Sequence, residues 1–520
     1  MARYKHYDYS QQKLLPVSFE KQILPGSFEY TLNELIDNEV GLKVFEGRYH
    51  NDETGAPAYD PGILLKIILY AYSRGITQSR EIARLCQENI VFMALSADTT
   101  PHFTTIAAFI SRLEREIVSI YRDVLLICDE AGLIGREMFA IDGVKLPSNA
   151  SKEWSGTRAD FQKKVKKMER AITYLVKRHR AADEADDSET LKAARAKQIK
   201  TLKASVAKVK EFLKDRPEKL GASGKPIQSN ITDNESAKIK SGKGVIQGYA
   251  GMAVVDARHQ VIVGAQAFGA GQEHGLFIPM LEHTRESFKA LGNHDILKRA
   301  GLLADSGMHS ETNLEYLFEN GIDGFVADTR FRKRDPRFVT AARHRPTRPD
   351  APWARPKARG LFTPKDFQLG PGHRFCICPA GKRLYRNGAH VRVRDHYGVK
   401  FRGTKRDCVG CPMRSRCLRN PDKSTVRQVV FFLGREGKSE NYTARMRRKI
   451  DTDAGRHQYA QRLGIVEPVF ANINSAHRLR RFSLRGRAKV STQWQLFCLV
   501  HNIGKIQRYG TRRRSSRSLH

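Results

Sequence analysis

Two short apolar runs that each end in an aspartate constrain the fold of this chain more than any other feature. Residues 138–141 ("MFAI") stop at Asp142, and residues 301–304 ("GLLA") stop at Asp305. Short apolar runs of this length, bounded by polar residues, are typical of buried strands. We therefore predict that both acids stand at the C-terminal ends of short buried strands, which a mixed sheet can place side by side.

The segments around these runs predict the order of the elements. Residues 244–256 and 259–268 form two strands joined by a tight turn at residues 257–258, and "DGFVADT" is a fifth strand. Helical patterns separate the later strands, one of them at "SETNLEYLFENG", where Ser310 is a suitable N-cap. The predicted fold is α/β, a mixed five-stranded sheet in which antiparallel strands come first and parallel strands last.

Two long parts of the chain carry helical patterns without strands. Residues 1–135 are predicted to form an all-α N-terminal domain, with one helix starting at Pro61 and a turn at Gly75 leading to the next. Helix, turn and helix in this order are compatible with DNA binding, and an ordinary helical bundle is the alternative. Residues 158–215 carry two apolar stripes around a polar break, which predicts an inserted pair of antiparallel helices.

The charge of the chain indicates its partner. Lysine and arginine number 91 and aspartate and glutamate 55, which gives a formal net charge of +36. Basic surfaces gain affinity for nucleic acid by releasing phosphate counterions, whereas a solvated basic surface without a partner is the alternative. Because the chain has no apolar window of about 18 residues and no signal-peptide core near its start, we expect no membrane span and a cytoplasmic protein.

Five of the eight cysteines fall between Cys376 and Cys417. Clustered cysteines in a cytosolic protein favour metal binding over disulfides, and C-x2-C brings two thiolates to one Zn²⁺. We predict a structural zinc site whose four ligands are Cys378, Cys408, Cys411 and Cys417. Cys376 could replace one of these ligands. Reduced thiols without metal are the alternative. The three cysteines in apolar helical surroundings are predicted to be core residues: Cys86, Cys128 and Cys498.

The two strand-end aspartates suggest metal chemistry. Neighbouring carboxylates without a counter-charge raise each other's pKa, and a divalent cation removes that repulsion. Mg²⁺ (or Mn²⁺) prefers oxygen ligands and leaves positions open for water and phosphate, and two such ions can drive cleavage of a phosphodiester. The alternative is that each aspartate only caps backbone N–H groups at a strand end.

A third acid from a helix would complete such a site, and Glu467 is the candidate. It lies among the apolar residues of "GIVEPVF", where a charged side chain is unusual unless it has a function. Pro468 disfavours helical backbone at Glu467, which predicts either a kink there or a new helix that starts with the proline. The competing carboxylates are Glu440, Asp451 and Asp453.

Taken together, these segments resemble insertion-sequence DDE transposases with a ribonuclease H-like catalytic core. "AIDGVKLPSNASKEWSGT" is similar to the first-aspartate segment, "LLADSGMHSETNLEYL" to the second, and "YAQRLGIVEPVF" to a Tyr–Arg–Glu–Lys signature. The N-terminal "NDETGAPAYDPGILLKIILYAYSRGITQSREIA" resembles the helical domain before such cores, so the resemblance covers roughly residues 15–506. It implies Asp142, Asp305 and Glu467 as the catalytic metal ligands.

The signature segment departs from the family in two places. Four residues, not three, separate Arg462 from Glu467, and Asn474 stands where the signature lysine is expected. The next basic residues are His477 and Arg478, so the phosphate contact of that lysine is unassigned. The predicted DNA contacts are Arg456, Tyr459 and Arg462. The alternative is that these side chains only pack against the core or lie on a solvated face of the helix.

The resemblance implies a DNA transposase. Mg²⁺-dependent cleavage of one strand at the terminal inverted repeats would free a 3′-OH, which would attack a phosphodiester of the target. A ribonuclease H-like nuclease without strand transfer and a non-catalytic repressor that binds the element ends are the alternatives. We expect double-stranded DNA as the partner, a homodimer that holds both ends, and a place on the nucleoid in the bacterial cytoplasm.

The domain division follows from these segments. Residues 1–135 are the DNA-binding helical domain, and residues 136–330 with 425–508 are the catalytic core, interrupted by the insertion 158–215. Residues 331–424 form a basic linker and a Cys-rich, zinc-ribbon-like insertion. The last residues, 509–520, are predicted to be a basic disordered tail.

Overall fold

The chain divides into two compact units, Met1–Arg330 with Met446–His520, and Phe331–Arg445. The computed structural model describes residues 17–49, 57–184, 189–221, 224–242, 244–292, 295–298, 300–338, 360–393, 396–435 and 441–510. The predicted tail from residue 511 onward, the linker stretch 339–359 and the N-terminal residues 1–16 lie outside the described residues.

The described residues before the central sheet form helices and short helical turns. The helices are α1 Phe28–Asn38, α2 Pro61–Ser73, α3 Ser79–Glu88, α4 Ile90–Leu95, α5 Phe103–Ser111 and α6 Glu116–Glu130. Helix α2 begins at Pro61, as predicted, because the Asp60 carboxylate accepts hydrogen bonds from the first free N–H groups of the helix. Gly75, at φ +76°, makes the turn from α2 toward α3, a conformation that glycine adopts without strain.

The first unit is built around a mixed sheet. The strands are β1 Met138–Pro147, β2 Ser155–Gly156, β3 Ser229–Asn230, β4 Ala237–Ser241, β5 Gly244–Asp256, β6 Ile262–Phe268, β7 Gly301–Ala304 and β8 Asp323–Val326. Six strands share one sheet in the order β4–β5–β1–β7–β8, with β6 also on β5, while β2 and β3 pair with each other. Strand β5 is antiparallel to its neighbours, and β1, β7 and β8 are parallel. The α/β class is therefore confirmed.

Two predictions about these strands are wrong. The sheet has six strands rather than five, because β4 buries only Ile239 between two exposed lysines and therefore has a weak apolar pattern. Strand β1 does not end at Asp142. Its antiparallel pairing with β5 continues as far as Pro147 opposite Gly248, so the hydrogen bonds of β5 carry the strand past the acid.

Two long helices, α7 Arg158–Glu184 and α8 Glu189–Asp215, form the insertion between β2 and β3. The two helices run antiparallel. The guanidinium of Arg158 near the start of α7 donates to the carbonyl of Leu213 near the end of α8 at 2.6 Å. A small core joins the two helices: Phe161, Val165, Val206 and Val209.

Two further helices follow the later strands of the sheet. Helix α9 Phe277–Ala290 comes after β6, and α10 Glu311–Glu319 comes after β7. Ser310 caps α10 as predicted, because its hydroxyl accepts a hydrogen bond from the N–H of Asn313 at 3.2 Å. Helix α10 forms the crossover from β7 to the parallel strand β8, which parallel strands need because a tight turn cannot join them.

The second unit is an antiparallel sheet with short helices. Its elements are α11 Phe331–Arg334, β9 Gln368–Leu369, β10 Phe375–Ile377, β11 Arg383–Val393, β12 His396–Arg402, α12 Lys405–Val409, α13 Arg414–Cys417 and β13 Gln428–Arg435. The strands follow the order β13–β12–β11–β10–β9. They cover a small core: Phe367, Cys376, Leu384, Val399, Phe401 and Val429.

Strand β13 corrects the predicted boundary of the catalytic core. The sequence assigns residues from 425 onward to that core, but β13 pairs with β12 from Gln428 opposite Arg402 onward. Residues as far as Arg445 therefore belong to the second unit. The alternation of apolar and polar side chains predicts that a segment forms a strand. It does not identify the neighbouring strand, since strand pairing is a tertiary interaction.

Three helices end the described chain: α14 Tyr442–Ile450, α15 Asp453–Ala471 and α16 Arg487–Tyr509. Helix α15 packs against β1, β7 and β8. Helix α16 is buried along most of its length, and the indole N–H of Trp494 donates to the carbonyl of Met252 in β5 at 2.9 Å. Within the described residues, no helix is both long and apolar enough to span a bilayer.

Candidate active site

Strand register brings the two predicted aspartates together. Strands β1 and β7 pair in parallel with Ile141 opposite Ala304, which is the last pair before β7 ends. Asp142 and Asp305 are the next residues on the two chains. Because neighbouring strands lie about 4.8 Å apart, the two carboxylates stand next to each other, close enough to interact electrostatically.

Arg462 of α15 balances the charge of this acidic pair. Its Nη1 lies 2.6 Å from Oδ2 of Asp142, and the two side chains are only 11% and 22% exposed. Asp305 and Tyr459 also lie within electrostatic reach of Arg462. Arg456, the third predicted DNA contact, is mostly buried and lies near an acid one turn earlier in its own helix. Helix α15 thus brings Arg462 to the acids, with Tyr459 near Arg462.

Burial raises the pKa of Asp142 above its ordinary value. The Arg462 guanidinium and the N–H of Gly143, which donates to Oδ1 at 2.8 Å, act in the opposite direction, while the charge of Asp305 adds to the increase. Asp305 likewise accepts a hydrogen bond from the N–H of Ser306 at 2.6 Å. Both acids therefore bond the following N–H, as the capping alternative requires. Capping alone does not explain why two of them adjoin in a partly closed site.

The donor set of Asp142 and Asp305 fits a hard divalent cation. Two adjacent carboxylates repel when both are charged, and Mg²⁺ takes oxygen ligands of this kind. In the part of the chain that the structure describes, no three Asp, Glu, His or Cys side chains are close enough together to hold a metal ion. The sheet therefore places two carboxylates side by side, and among the described residues no third metal-binding side chain joins them.

Glu467, the predicted third acid, does not join the two aspartates within the described structure. It lies inside α15, five residues after Arg462. At about 100° per residue, the two side chains leave the helix about 140° apart, so they cannot both face the acidic pair. Pro468 also lies inside α15, which shows that no new helix starts there.

The apolar frame of Glu467 has a simple structural explanation. Ile465, Val466 and Val469 are buried against the sheet, whereas Glu467 is exposed. The apolar neighbours are thus the packed face of an amphipathic helix, and they do not desolvate the carboxylate. The apolar surroundings were the reason for preferring Glu467 to the competing carboxylates, and that reason is therefore wrong. The family resemblance, which also implies Glu467 as a ligand, does not depend on it.

A carboxylate that the sequence did not single out lies near Asp305. A Cβ built on Gly307 would lie 2.8 Å from Oε2 of Glu273 and 4.0 Å from Oδ2 of Asp305, so both oxygens flank that glycine. Glu273 is 16% exposed and pairs with Lys145 of β1 at 2.7 Å. It begins the short turn Glu273–Leu276, whose sequence has no strand or helix pattern, and no sequence signal indicated it.

Asp328 is a further acid at the same end of the parallel strands. It follows β8, the neighbour of β7, and is buried. It accepts hydrogen bonds from Nε of Arg447 at 3.0 Å and from the N–H of Arg330 at 2.6 Å. Its signal in "DGFVADT", an apolar run followed by an acid, is the same one that marks Asp142 and Asp305, so the sequence could have indicated it. Its bond to Arg447 favours a structural role.

Residues near the expected signature lysine pack against the N-terminal helices. Asn474 lies in the π-helical turn Asn472–Ala476, and its Oδ1 has no hydrogen-bond partner among the described residues. His477 bonds the last carbonyl of α2 through Nδ1 at 3.0 Å. Arg478 covers Gly75, where an added Cβ would lie 2.7 Å from the arginine Cβ. These contacts hold the chain after α15 in place, and none of them identifies a replacement for the lysine.

The clustered cysteines meet in the second unit. One cavity is lined by Cys378, Cys408, Cys411 and Cys417. Cys376 is fully buried in the core of the sheet and does not line this cavity, so its predicted exchange with another ligand is not supported. The three cysteines predicted to be core residues are buried: Cys86, Cys128 and Cys498.

Comparison with protein families suggests a DNA-processing enzyme. Residues 377–507 match the family model described as the transposase DDE domain, a stretch that contains the cavity cysteines and the whole of α15. Residues 17–112 match a second model, described as a transposase domain (DUF772), which spans α1 to α5. The two matches indicate a DNA transposase and support one of the insertion-sequence kind. No curated protein has significant similarity to the chain.

Proposed function

We propose that this protein is an insertion-sequence DDE transposase of the Tyr–Arg–Glu–Lys type with a ribonuclease H-like core. The strand order β6–β5–β1–β7–β8, three antiparallel strands followed by two parallel ones, supports such a core. The observation that carries the proposal is the parallel register of β1 and β7, which makes Asp142 and Asp305 neighbours. The position of Arg462 beside them, with Tyr459 close by, supports the signature type.

Asp142 and Asp305 would hold Mg²⁺ or Mn²⁺, and Glu467 would be the third ligand. The bound ions would activate the attacking oxygen and stabilise the leaving oxygen of a phosphodiester. Arg462 would exchange its bond to Asp142 for one to a DNA phosphate, which a planar guanidinium can bond through two N–H groups. Glu467 would approach the acids through a rotation or shift of α15, since it leaves the helix about 140° from Arg462.

Two phosphoryl transfers would use this site in turn. In the first, water attacks the phosphodiester at the element end, gives up a proton, and the 3′-oxygen leaves and is protonated to a 3′-OH. In the second, that 3′-OH attacks a phosphodiester of the target, loses its proton, and a 3′-oxygen of the target leaves. Both are in-line displacements at phosphorus, and neither needs a covalent enzyme intermediate.

The N-terminal helical domain would bind the terminal inverted repeats. Helices α2 and α3 are joined by a turn at Gly75, and in such a motif the second helix enters the major groove. Helix α2 is mostly buried, whereas Arg80 and Arg84 of α3 are exposed and available to DNA. A homodimer would hold both ends of the element on the nucleoid, in the cytoplasm.

The test is cleavage of element-end DNA with Mg²⁺ by the wild type and by Asp142→Asn. We expect the variant to lose cleavage while retaining DNA binding, because it keeps the shape of the side chain and removes one ligand charge. Asp215→Asn makes the same change at an exposed position at the end of α8 and is the matched control. Undiminished cleavage by Asp142→Asn would overturn the site.

The same assay separates the two rival functions. Cleavage without joining of the freed 3′-end to target DNA would indicate a nuclease. Salt-sensitive binding of the ends without any metal-dependent product would indicate a repressor. A transposase gives both the cleaved and the joined product.

A further inference from the structure

The cavity of four thiols in the second unit has no part in the proposed reaction. Its cysteines come from three separate places in the chain: Cys378 follows β10, Cys408 and Cys411 lie in and just after α12, and Cys417 ends α13. All four line the same cavity, and the thiol of Cys417 interacts electrostatically with the other three. The fold therefore brings together thiols that lie up to 39 positions apart in the chain.

The backbone around these thiols is held by hydrogen bonds. Cys378 opens a tight turn in which its N–H donates to the carbonyl of Lys382 at 2.9 Å and its carbonyl accepts from the N–H of Gly381 at 2.8 Å. Gly381 has φ +73°, a value that favours glycine. The Cys378 thiol is therefore presented from a closed turn at the end of β10.

Two arginines bind the loops that carry the other thiols. Nη1 of Arg414 donates to the carbonyl of Cys408 at 2.7 Å, and its Nη2 donates to the carbonyls of Pro421 and Ser424 at 2.7 and 2.8 Å. Nη1 of Arg427 donates to the carbonyl of Cys417 at 3.0 Å. These bonds occupy the guanidinium groups with backbone oxygens and fix the loops around the cavity.

A glycine makes room for one of the sulfurs. A Cβ built on Gly403 would lie 2.6 Å from Sγ of Cys408, a distance that real contacts do not reach. A side chain at this position would force the Cys408 thiol or the backbone beside it to shift. The chain thus accommodates the Cys408 sulfur at a specific place.

We propose that Cys378, Cys408, Cys411 and Cys417 bind one structural Zn²⁺. Four thiolates are a complete tetrahedral set, which leaves no open position for catalysis. Within the described residues no three such side chains are close enough to hold a metal as they stand, so binding would need the four sulfurs to move closer to one another. The ion would replace the thiol protons and would link β10, α12 and α13.

The zinc content of the purified full-length chain tests the proposal. Elemental analysis after expression in zinc-containing medium is expected to give one zinc per chain. Cys411→Ser is expected to lose it. Cys376→Ala, which changes a cysteine of the same unit that lies off the cavity, is the matched control and is expected to keep it.

Cobalt substitution gives a second measurement that does not depend on how a variant folds. Wild-type protein stripped by a chelator and titrated with Co²⁺ is expected to show thiolate-to-cobalt absorption at one equivalent. A zinc-free wild type without such absorption would overturn the site, and zinc loss in Cys376→Ala with retention in Cys411→Ser would overturn the ligand assignment. Neither measurement uses DNA cleavage, so a failure here is distinct from a failure of the proposed transposase activity.

Discussion

The acidic strand edge of the first unit and the cysteine cavity of the second both gather side chains that repel when charged, but they do so by different means. Asp142 and Asp305 adjoin because of the register Ile141 opposite Ala304, and Arg462 supplies an opposite charge 2.6 Å away. The thiols sit on turns and short helices tied by side-chain bonds to backbone carbonyls, such as those of Arg414. A sheet can thus place charged groups by backbone pairing alone, whereas the thiols are placed by turns and short helices that depend on side-chain hydrogen bonds.

The largest expected effect separates the chemical roles of the two regions. Asp305→Asn is expected to lower Mg²⁺-dependent cleavage by at least about 10³-fold, because loss of one ligand charge removes several kcal/mol of transition-state stabilisation. Cys411→Ser is expected to change the rate far less, because the zinc proposed for this cavity would be structural. Single-turnover cleavage of labelled element ends measures both. An equal loss in the cysteine variant would show that the comparison is wrong and that the cavity takes part in the reaction.

The next effect concerns the third ligand proposed to join Asp142 and Asp305. Glu467→Gln is expected to lower cleavage by about 10²-fold, since it removes the acid that would complete the site. Glu273→Gln, the matched change at a carboxylate already near Asp305, is expected to cost less than about 10-fold. The same cleavage assay measures both variants, and the reverse ranking would make Glu273 the third ligand and remove the need for α15 to move.

A smaller effect tests how tightly the cysteine cavity is built. Gly403→Ala is expected to destabilise the protein by about 1–3 kcal/mol, the usual range for overpacking, because the new Cβ would meet Sγ of Cys408 at 2.6 Å. Gly410→Ala is the control, since a Cβ there has nothing within 4 Å. Denaturant unfolding and zinc content of the full chain measure the difference. Equal stability of the two variants would mean that the Cys408 sulfur moves freely.

The smallest effect is a shift along the pH axis. Arg462 opposes the rise that burial causes in the pKa of Asp142, so Arg462→Gln should raise that pKa further. Asp142 must be deprotonated to bind a metal, so activity that is lost as the pH falls should be lost at a higher pH in the variant. The pH profile of cleavage measures the shift. Arg448→Gln removes the same charge at an exposed position of α14 and should leave the acid limb where it is.

The two adjacent aspartates illustrate how far a local sequence pattern can predict a site. An apolar run followed by an acid predicted both Asp142 and Asp305, and the same pattern would have found Asp328. The pattern could not predict that β1 continues to Pro147, because the hydrogen bonds of β5 decide this. It could not find Glu273 either, since that residue lies in a short turn and approaches Asp305 only in the folded chain.

Helix α15 and the cysteines show the same limit of local sequence patterns. In both cases, tertiary packing decides which candidate residues join the site. The spacing of Arg462 and Glu467 was visible in the sequence, but the choice of which one faces Asp142 depends on which side of α15 packs on the sheet. The C-x2-C pattern predicted a shared site, and only the core of the second unit excluded Cys376 from it.

By itself, the sequence determined the α/β class, the positions of most helices and of the apolar strands of the first unit, the basic charge and the two aspartates, because each of these follows from residue type and periodicity along a short stretch. The tertiary structure decided which strands pair, how far β1 extends, which cation Asp142 meets and which four thiols share a cavity. These are contacts between residues far apart in the chain. They are settled by the packing of whole elements against one another, a nonlocal interaction that no single stretch of sequence contains.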